Sequence, residues 1–178
     1  LSLITGDNPQ AYANEIYLFD RKRGTGESIW DIKQKTGFLS PELHLYFDYA
    51  ATAYSTIASG LWSTTGLFRT LSEAEHELIL EWLDFLNLGQ YRNHLLGGLP
   101  AGIQRMLLLG RAMVRTPPLL VLDEPCQGLD PEHIEQVKGL IGRYCEIYGA
   151  TLIFVSHYPE ELPACVTRFL RLEKGSAL

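Results

Sequence analysis

Two acids close one apolar run, Leu119-Leu120-Val121-Leu122-Asp123-Glu124, and a serine-histidine pair closes another, Phe154-Val155-Ser156-His157. A short unbroken apolar run reads as a strand buried on both faces, and open α/β sheets bind ligands at the carboxyl ends of such strands. Asp123 therefore stands where a carboxylate can hold Mg²⁺ through its water shell. Glu124 stands where one can orient or deprotonate an attacking water. An ordinary strand ending in an acidic turn has the same appearance. The neighbours favour phosphoryl chemistry: Gly128-Leu129-Asp130 lies just downstream, and His157 ends the next strand. Each has a plainer use, His157 as a strand-end histidine bonded to nearby backbone and Asp130 as the cap of a helix opening at Pro131.

These residues need a sheet with helical crossovers to hold them. Leu119 to Asp123 and Thr151 to Ser156 read as strands, with Pro131 to Tyr148 as the helix between them and Pro131 suited to its first turn. Strand-helix-strand alternation implies parallel pairing with right-handed crossovers. Upstream, Glu15 to Asp20 reads as a strand, Arg21 to Gly26 as a basic loop, Ile29 to Lys35 as a short helix and Thr36 to Ser40 as a strand stopped by Pro41. From Leu43 to His94 helical spacing replaces strand patterns. Ser72 and Glu75 form a capping box before Leu78, Ile79, Trp82, Leu83 and Leu86, a helix closing near Leu88-Gly89. Another helix runs from Ala101 to Val114 and breaks at Thr116-Pro117-Pro118. Pro159 to Ala164 reads as a short helix and Arg168 to Glu173 as a last strand. Leu1 to Thr5 reads as the tail of a helix and Asn8-Pro9 as a turn.

Composition narrows the class. At 178 residues, with 46% hydrophobic and 20% charged residues, the chain can bury a substantial core. Its net charge of −6 argues against a nucleic-acid partner or an anionic lipid surface. No stretch nears the roughly twenty apolar residues that span a bilayer, and no basic start precedes an apolar core. Three spaced cysteines, Cys126, Cys145 and Cys165, fit reduced thiols better than a disulfide framework. His44, His76, His94 and His133 lack metal-ligand spacing and read as surface or packing residues.

With these residues in place, the chain resembles the ATP-binding cassette ATPases over nearly its whole length. Leu119 to Glu124 is similar to the family's Walker B segment with its catalytic glutamate, Gly128-Leu129-Asp130 to its D-loop and His157 to its switch histidine. Leu99 to Arg105 stands where the signature sequence belongs. The opening Leu1-Ser2-Leu3-Ile4-Thr5-Gly6-Asp7 and the stretch Gly24 to Lys33 are similar, more narrowly, to the second cassette of ModF-type tandem ATPases, associated with molybdate transport and sometimes labelled photorepair proteins. The resemblance implies an α/β, P-loop NTPase-like fold, a parallel sheet with an inserted helical subdomain. It divides the chain into part of an ATPase core (1–42), the helical subdomain (43–98), and the signature helix with the rest of the core (99–178).

The roles that follow from the resemblance are specific. Asp123 would hold Mg²⁺ through water, Glu124 would polarise the attacking water, and His157 would hydrogen-bond the γ-phosphate of ATP. Asp130, Ala101 and Gly102 would face nucleotide shared with a second cassette, and a membrane permease subunit would be a further partner. A cytoplasmic protein, at most peripheral at the inner face of the membrane, is expected.

Three positions depart from the family pattern. No Gly-Lys-Ser/Thr loop is present, so phosphate affinity is expected to be low, and the start at Leu1 reads as a piece of a longer protein from which that loop was cut away. Pro41 occupies the place of a glutamine that ligates Mg²⁺. The signature reads Leu99-Pro100-Ala101-Gly102-Ile103-Gln104-Arg105, without the serine, glycine and glutamine the family has at Pro100, Ala101 and Ile103, though a helix N-terminus with free amides at Ala101 to Ile103 could still face an anion. An asymmetric pair of sites is expected, slow where this signature serves. Two other readings remain: a regulatory or scaffolding cassette that works by binding, favoured by Pro100 and Ile103, and an ATPase acting on DNA, opposed by the acidic balance.

Overall fold

The computed structural model of the chain describes residue 4, residues 15–22, residue 26, residues 28–64, residues 69–173 and residues 176–177. The expected helix tail at Leu1 to Thr5, apart from Ile4, which is helical, and the turn at Asn8-Pro9 lie outside the described residues. Strand β1 (Tyr17–Leu18) pairs antiparallel with β2 (Arg21–Lys22) across Phe19 and Asp20, whose φ angles of 53° and 61° are both left-handed. A two-residue turn of that hand matches the twist of a hairpin. The strand expected from Glu15 to Asp20 is therefore shorter, and Arg21 and Lys22, expected in a loop, become its partner. Phenylalanine gives no turn signal, so this bend is hidden in the sequence.

Ser28 and Asp31 form a capping box that opens α1 (Ile29–Lys35), which buries Ile32. The chain enters β3 (Thr36–Leu39), and Ser40 then caps α2 (Pro41–Tyr46). Pro41 thus begins a helix as well as ending a strand, since its missing N–H costs nothing in a first turn. The helical stretch continues through α3 (Ala53–Ser59), a 3₁₀ turn at Gly60–Trp62 and α4 (Glu73–Phe85), which starts at the expected Ser72/Glu75 box. Helix α4 ends at Phe85 with Leu86 as its cap, earlier than the expected Leu88-Gly89, because Asn87 takes a left-handed φ of 57°. Next come α5 (Ala101–Met113), β4 (Leu119–Asp123), α6 (Pro131–Tyr148) and β5 (Thr151–Val155).

Strands β3, β4 and β5 form a parallel sheet in that spatial order, with Leu39 beside Leu122 and Asp123 beside Val155. Residues 119–122 are buried, as the unbroken apolar run predicts. One core runs from the helical stretch into the sheet, joining Ile57, Ile79 and Leu83 to Leu107, Leu120 and Leu140. Two glycines make that contact close. A Cβ on Gly37 would lie 2.3 Å from the Ala112 carbonyl oxygen, and one on Gly60 would lie 2.1 Å from that of Arg111.

The C-terminal end departs furthest from expectation. The helix expected over Pro159 to Ala164 is a single 3₁₀ turn, Pro159–Glu161, since Pro163 has no N–H to give and biases Leu162 away from helix. The last strand is only β6 (Leu172–Glu173), paired antiparallel with β7 (Ser176–Ala177); Arg168 to Arg171 are irregular, and Phe169 and Leu170 are exposed.

Candidate functional site

The register of the sheet brings three strand ends to one edge. Ser40 follows β3, Glu124 follows β4 and Ser156-His157 follow β5, all on the carboxyl side. The Glu124 amide donates to the Val155 carbonyl at 2.9 Å, so the residue after the strand stays locked to its neighbour. Its φ of 48° is left-handed, a conformation disfavoured for a residue with a Cβ, and it turns the largely buried Glu124 side chain toward β5. There Oε1 lies 3.4 Å from His157 Nε2, while the imidazole is 86% exposed. One carboxylate and one imidazole thus face each other with the imidazole open to an incoming group.

Asp123 is half-buried at the same edge. Burial, reinforced by the charge of Glu42, pushes its carboxyl above the ordinary range, and His157 pulls the other way. Glu42, the second residue of α2, is a neighbour that sequence reasoning missed. The parallel register of β3 and β4 carries this acid, one position after Pro41, toward Asp123.

Asp130 caps α6, accepting from the His133 amide at 3.0 Å and lying 2.7 Å from His133 Nδ1. The bonds from His133 hold its carboxyl below the usual range. The capping use of Asp130 is therefore realised, and the carboxylate remains exposed. His133 in turn packs on the signature helix: a Cβ on Gly102 would fall 1.9 Å from its ring. Gly102 is buried, Ala101 is exposed, and Pro100 supplies no side-chain cap, so the first turn of α5 has the His133 ring against Gly102 and no capping side chain. Behind them Arg105 is buried, donates from Nη2 to the Gln127 carbonyl at 3.3 Å, and ties the signature helix to the loop between Glu124 and Asp130. Sequence reasoning gave Arg105 no role.

The donor set fits a magnesium ion held by one protein carboxylate. Asp123 carries an unfavourable charge beside Glu42 that a divalent cation would offset, and no group of three or more ligating side chains occurs among the described residues. Magnesium, which keeps much of its water, needs only one or two carboxylates plus substrate phosphates.

Known proteins resemble this chain in sequence and in fold. The chain is 40% identical over 179 residues to the ABC transporter ATP-binding protein ModF of Escherichia coli (strain K12), covering 100% of this chain and 36% of that protein. It is 34% identical to an uncharacterized ABC transporter ATP-binding protein of Schizosaccharomyces pombe, covering 98% of this chain and 36% of that one. This chain belongs to the ATP-binding cassette family. It spans about a third of the length of those two relatives. No protein-family model matches it. Solved cassettes share the fold: a metal-chelate type ABC transporter in an inward-facing conformation aligns with a TM-score of 0.66 at 22% identity, over 80% of this chain and 55% of that one. A post-hydrolysis cassette dimer bound to ADP and Pi aligns at 0.65, again at 22% identity, over 82% of this chain and 63% of that one. As in that fold, this cassette is α/β with a parallel sheet and surrounding helices. No helix among the described residues is long and apolar enough to cross a membrane.

Proposed function

We propose that this cassette hydrolyses ATP within a longer polypeptide, at an edge formed by Asp123, Glu124 and His157. The observation that carries the reading is the 3.4 Å approach of His157 Nε2 to Glu124 Oε1 beside the half-buried Asp123. Bound magnesium would neutralise charge on the β- and γ-phosphates. Asp123 would hold it through water. Glu124, pinned by its amide to Val155, would accept a proton from the attacking water, and His157, exposed and adjacent, would donate to the γ-phosphate.

The other half of the site belongs to a second cassette. Asp130 and the exposed Ala101, with the Gly102 backbone, lie where a partner's nucleotide would meet this chain. Pro100 and the His133 ring reduce what the signature helix offers, so the composite site that uses this signature turns over slowly while the site built on Glu124 does the work. The 178 residues contain no Gly-Lys-Ser/Thr loop, and by themselves they bind nucleotide weakly and do not turn it over. The division at residues 42 and 98 into core, helical subdomain and core fits this scheme. Coupling to transport, of the molybdate type by the narrower resemblance, and placement in the cytoplasm beside a permease are part of the same reading.

Single-turnover hydrolysis by the polypeptide that carries this chain tests it. Glu124→Gln is expected to lower the rate at least about a hundredfold, more than the matching change in the other cassette. Equal losses from the two changes would contradict the asymmetry, and an unchanged rate would remove Glu124 from the chemistry.

A further inference from the structure

Away from the strand ends, a cavity of about 220 Å³ opens between α1, β3 and the last turns of α5. Its walls are mixed. Ile32, Phe38, Leu43 and Ala112 are apolar, whereas Lys33, Thr36, Arg111 and Arg115 bring polar groups, and among the described residues no carboxylate lines it. Small-molecule sites have this form, an apolar concavity with a few convergent polar groups.

The two guanidinium charges and one hydroxyl point to one kind of ligand. Arg111 is only 8% exposed, and its guanidinium donates to Ser59 Oγ at 3.1 Å and to the Thr64 carbonyl at 2.8 Å. Arg115 donates to the Lys33 carbonyl at 2.6 Å. Every one of these acceptors is neutral and the Arg111 guanidinium also lies 5.5 Å from the centre of the Phe47 ring, so the hydrogen bonds are met, but among the described residues no carboxylate pairs with either charge. A buried charge without a counter-charge is costly, and burial together with the charge of Arg115 lowers the Arg111 pKa to about 10. Thr36 is 8% exposed, and its Oγ1 is buried with no hydrogen-bond partner. Buried hydroxyls without partners are uncommon.

We infer that this cavity binds a small phosphate monoester, its phosphate oxygens accepting from Arg111, Arg115 and the Thr36 hydroxyl while its carbon skeleton lies against Ile32, Phe38 and Leu43. A dianionic group matches two guanidinia, and the planar donor forks of arginine suit phosphate oxygens. The site is separate from the hydrolytic edge. Arg111 lies about 15 Å along α5 from the signature residues at its N-terminus. The inference rests on the cavity and its charges, and it stands whether or not the chain turns over ATP.

Titration of the 178-residue chain with glycerol 3-phosphate at constant ionic strength, followed by amide NMR with chloride as the control, tests it. Saturable shifts are expected at Gly37, Ser63 and Ala112. Arg115→Gln is expected to weaken binding about tenfold, and Thr36→Val, which removes a hydroxyl without a partner and leaves the fold intact, at least several-fold. No saturable shift, shifts confined to Ala101–Ile103, or an affinity unchanged by Thr36→Val would overturn the inference. Should Arg115→Gln fail to fold, Thr36→Val alone decides.

Discussion

His133 closes over Gly102 so tightly that its ring occupies the place a methyl group would take, 1.9 Å from the built Cβ, while its Nδ1 lies 2.7 Å from Asp130. Asp130, the first turn of α6 and the first turn of α5 are thereby one unit. A displacement of any one is felt by the other two.

Gly102→Ala should therefore push the imidazole off its seat and separate it from Asp130. The expected cost is about 1–3 kcal/mol, the range of overpacking in a tight contact. His133→Ala removes the obstruction, so the double variant should be more stable than the sum of the single losses implies, by about 0.5 kcal/mol or more. A double-mutant cycle by urea unfolding measures the coupling; strict additivity would mean the ring moves aside freely.

How much of this was readable beforehand differs by element. The strand Leu119–Asp123 and the helix Pro131–Tyr148 announce themselves through an unbroken apolar run and a first-turn proline. The edge formed by Asp123, Glu124 and His157 follows from parallel order alone once both strands are recognised. Contacts between distant segments were not readable. Nothing in the spacing of Gly102 and His133, or of Pro41 and Glu42 relative to Asp123, marks them as neighbours, because such pairs are fixed by packing. The Phe19-Asp20 bend escaped notice because one of its residues has no turn preference.

Glu124 occupies a left-handed backbone that glycine adopts freely, and the strain is concentrated at the proposed base. Glu124→Gly is expected to raise stability by about 1 kcal/mol while abolishing ATP turnover in the longer polypeptide. Thermal unfolding of the 178-residue chain reads the first effect and phosphate release by the longer protein the second. A stability loss would show that the carboxylate, through His157 or its burial, holds the turn in place.

Asp123 makes stability depend on pH. Its carboxyl is raised in the folded chain by burial and Glu42, so the protonated form suits the fold and the charged form carries a penalty. That penalty is absent below the ordinary carboxylate range and grows as pH rises through the folded value. Asp123→Asn should consequently raise Tm by roughly 1–3 °C at about pH 8 and by little at about pH 4. Scanning calorimetry of both proteins across that range checks it, and a pH-independent difference would exclude titration of Asp123 as the cause.

The glycines divide by what surrounds them, and their alanine variants should divide the same way. On Gly60 a Cβ would lie 2.1 Å from the Arg111 carbonyl oxygen and 2.8 Å from Val114 Cγ1, backbone and core that cannot swing aside. Gly60→Ala is expected to cost at least about 2–3 kcal/mol, and Gly37→Ala, which meets the Ala112 carbonyl, a similar amount. Gly139 and Gly142 lie inside α6 with nothing within 4 Å of a built Cβ. There the only effect of a methyl is to restrict the unfolded chain and favour the helix, so Gly139→Ala and Gly142→Ala should each stabilise by about 0.5–1 kcal/mol. Chemical denaturation of the four variants separates the pairs. If Gly60→Ala were as stable as Gly139→Ala, the close seating of the 60–62 turn on α5, and with it the wall of the arginine-lined cavity, would have to be redrawn.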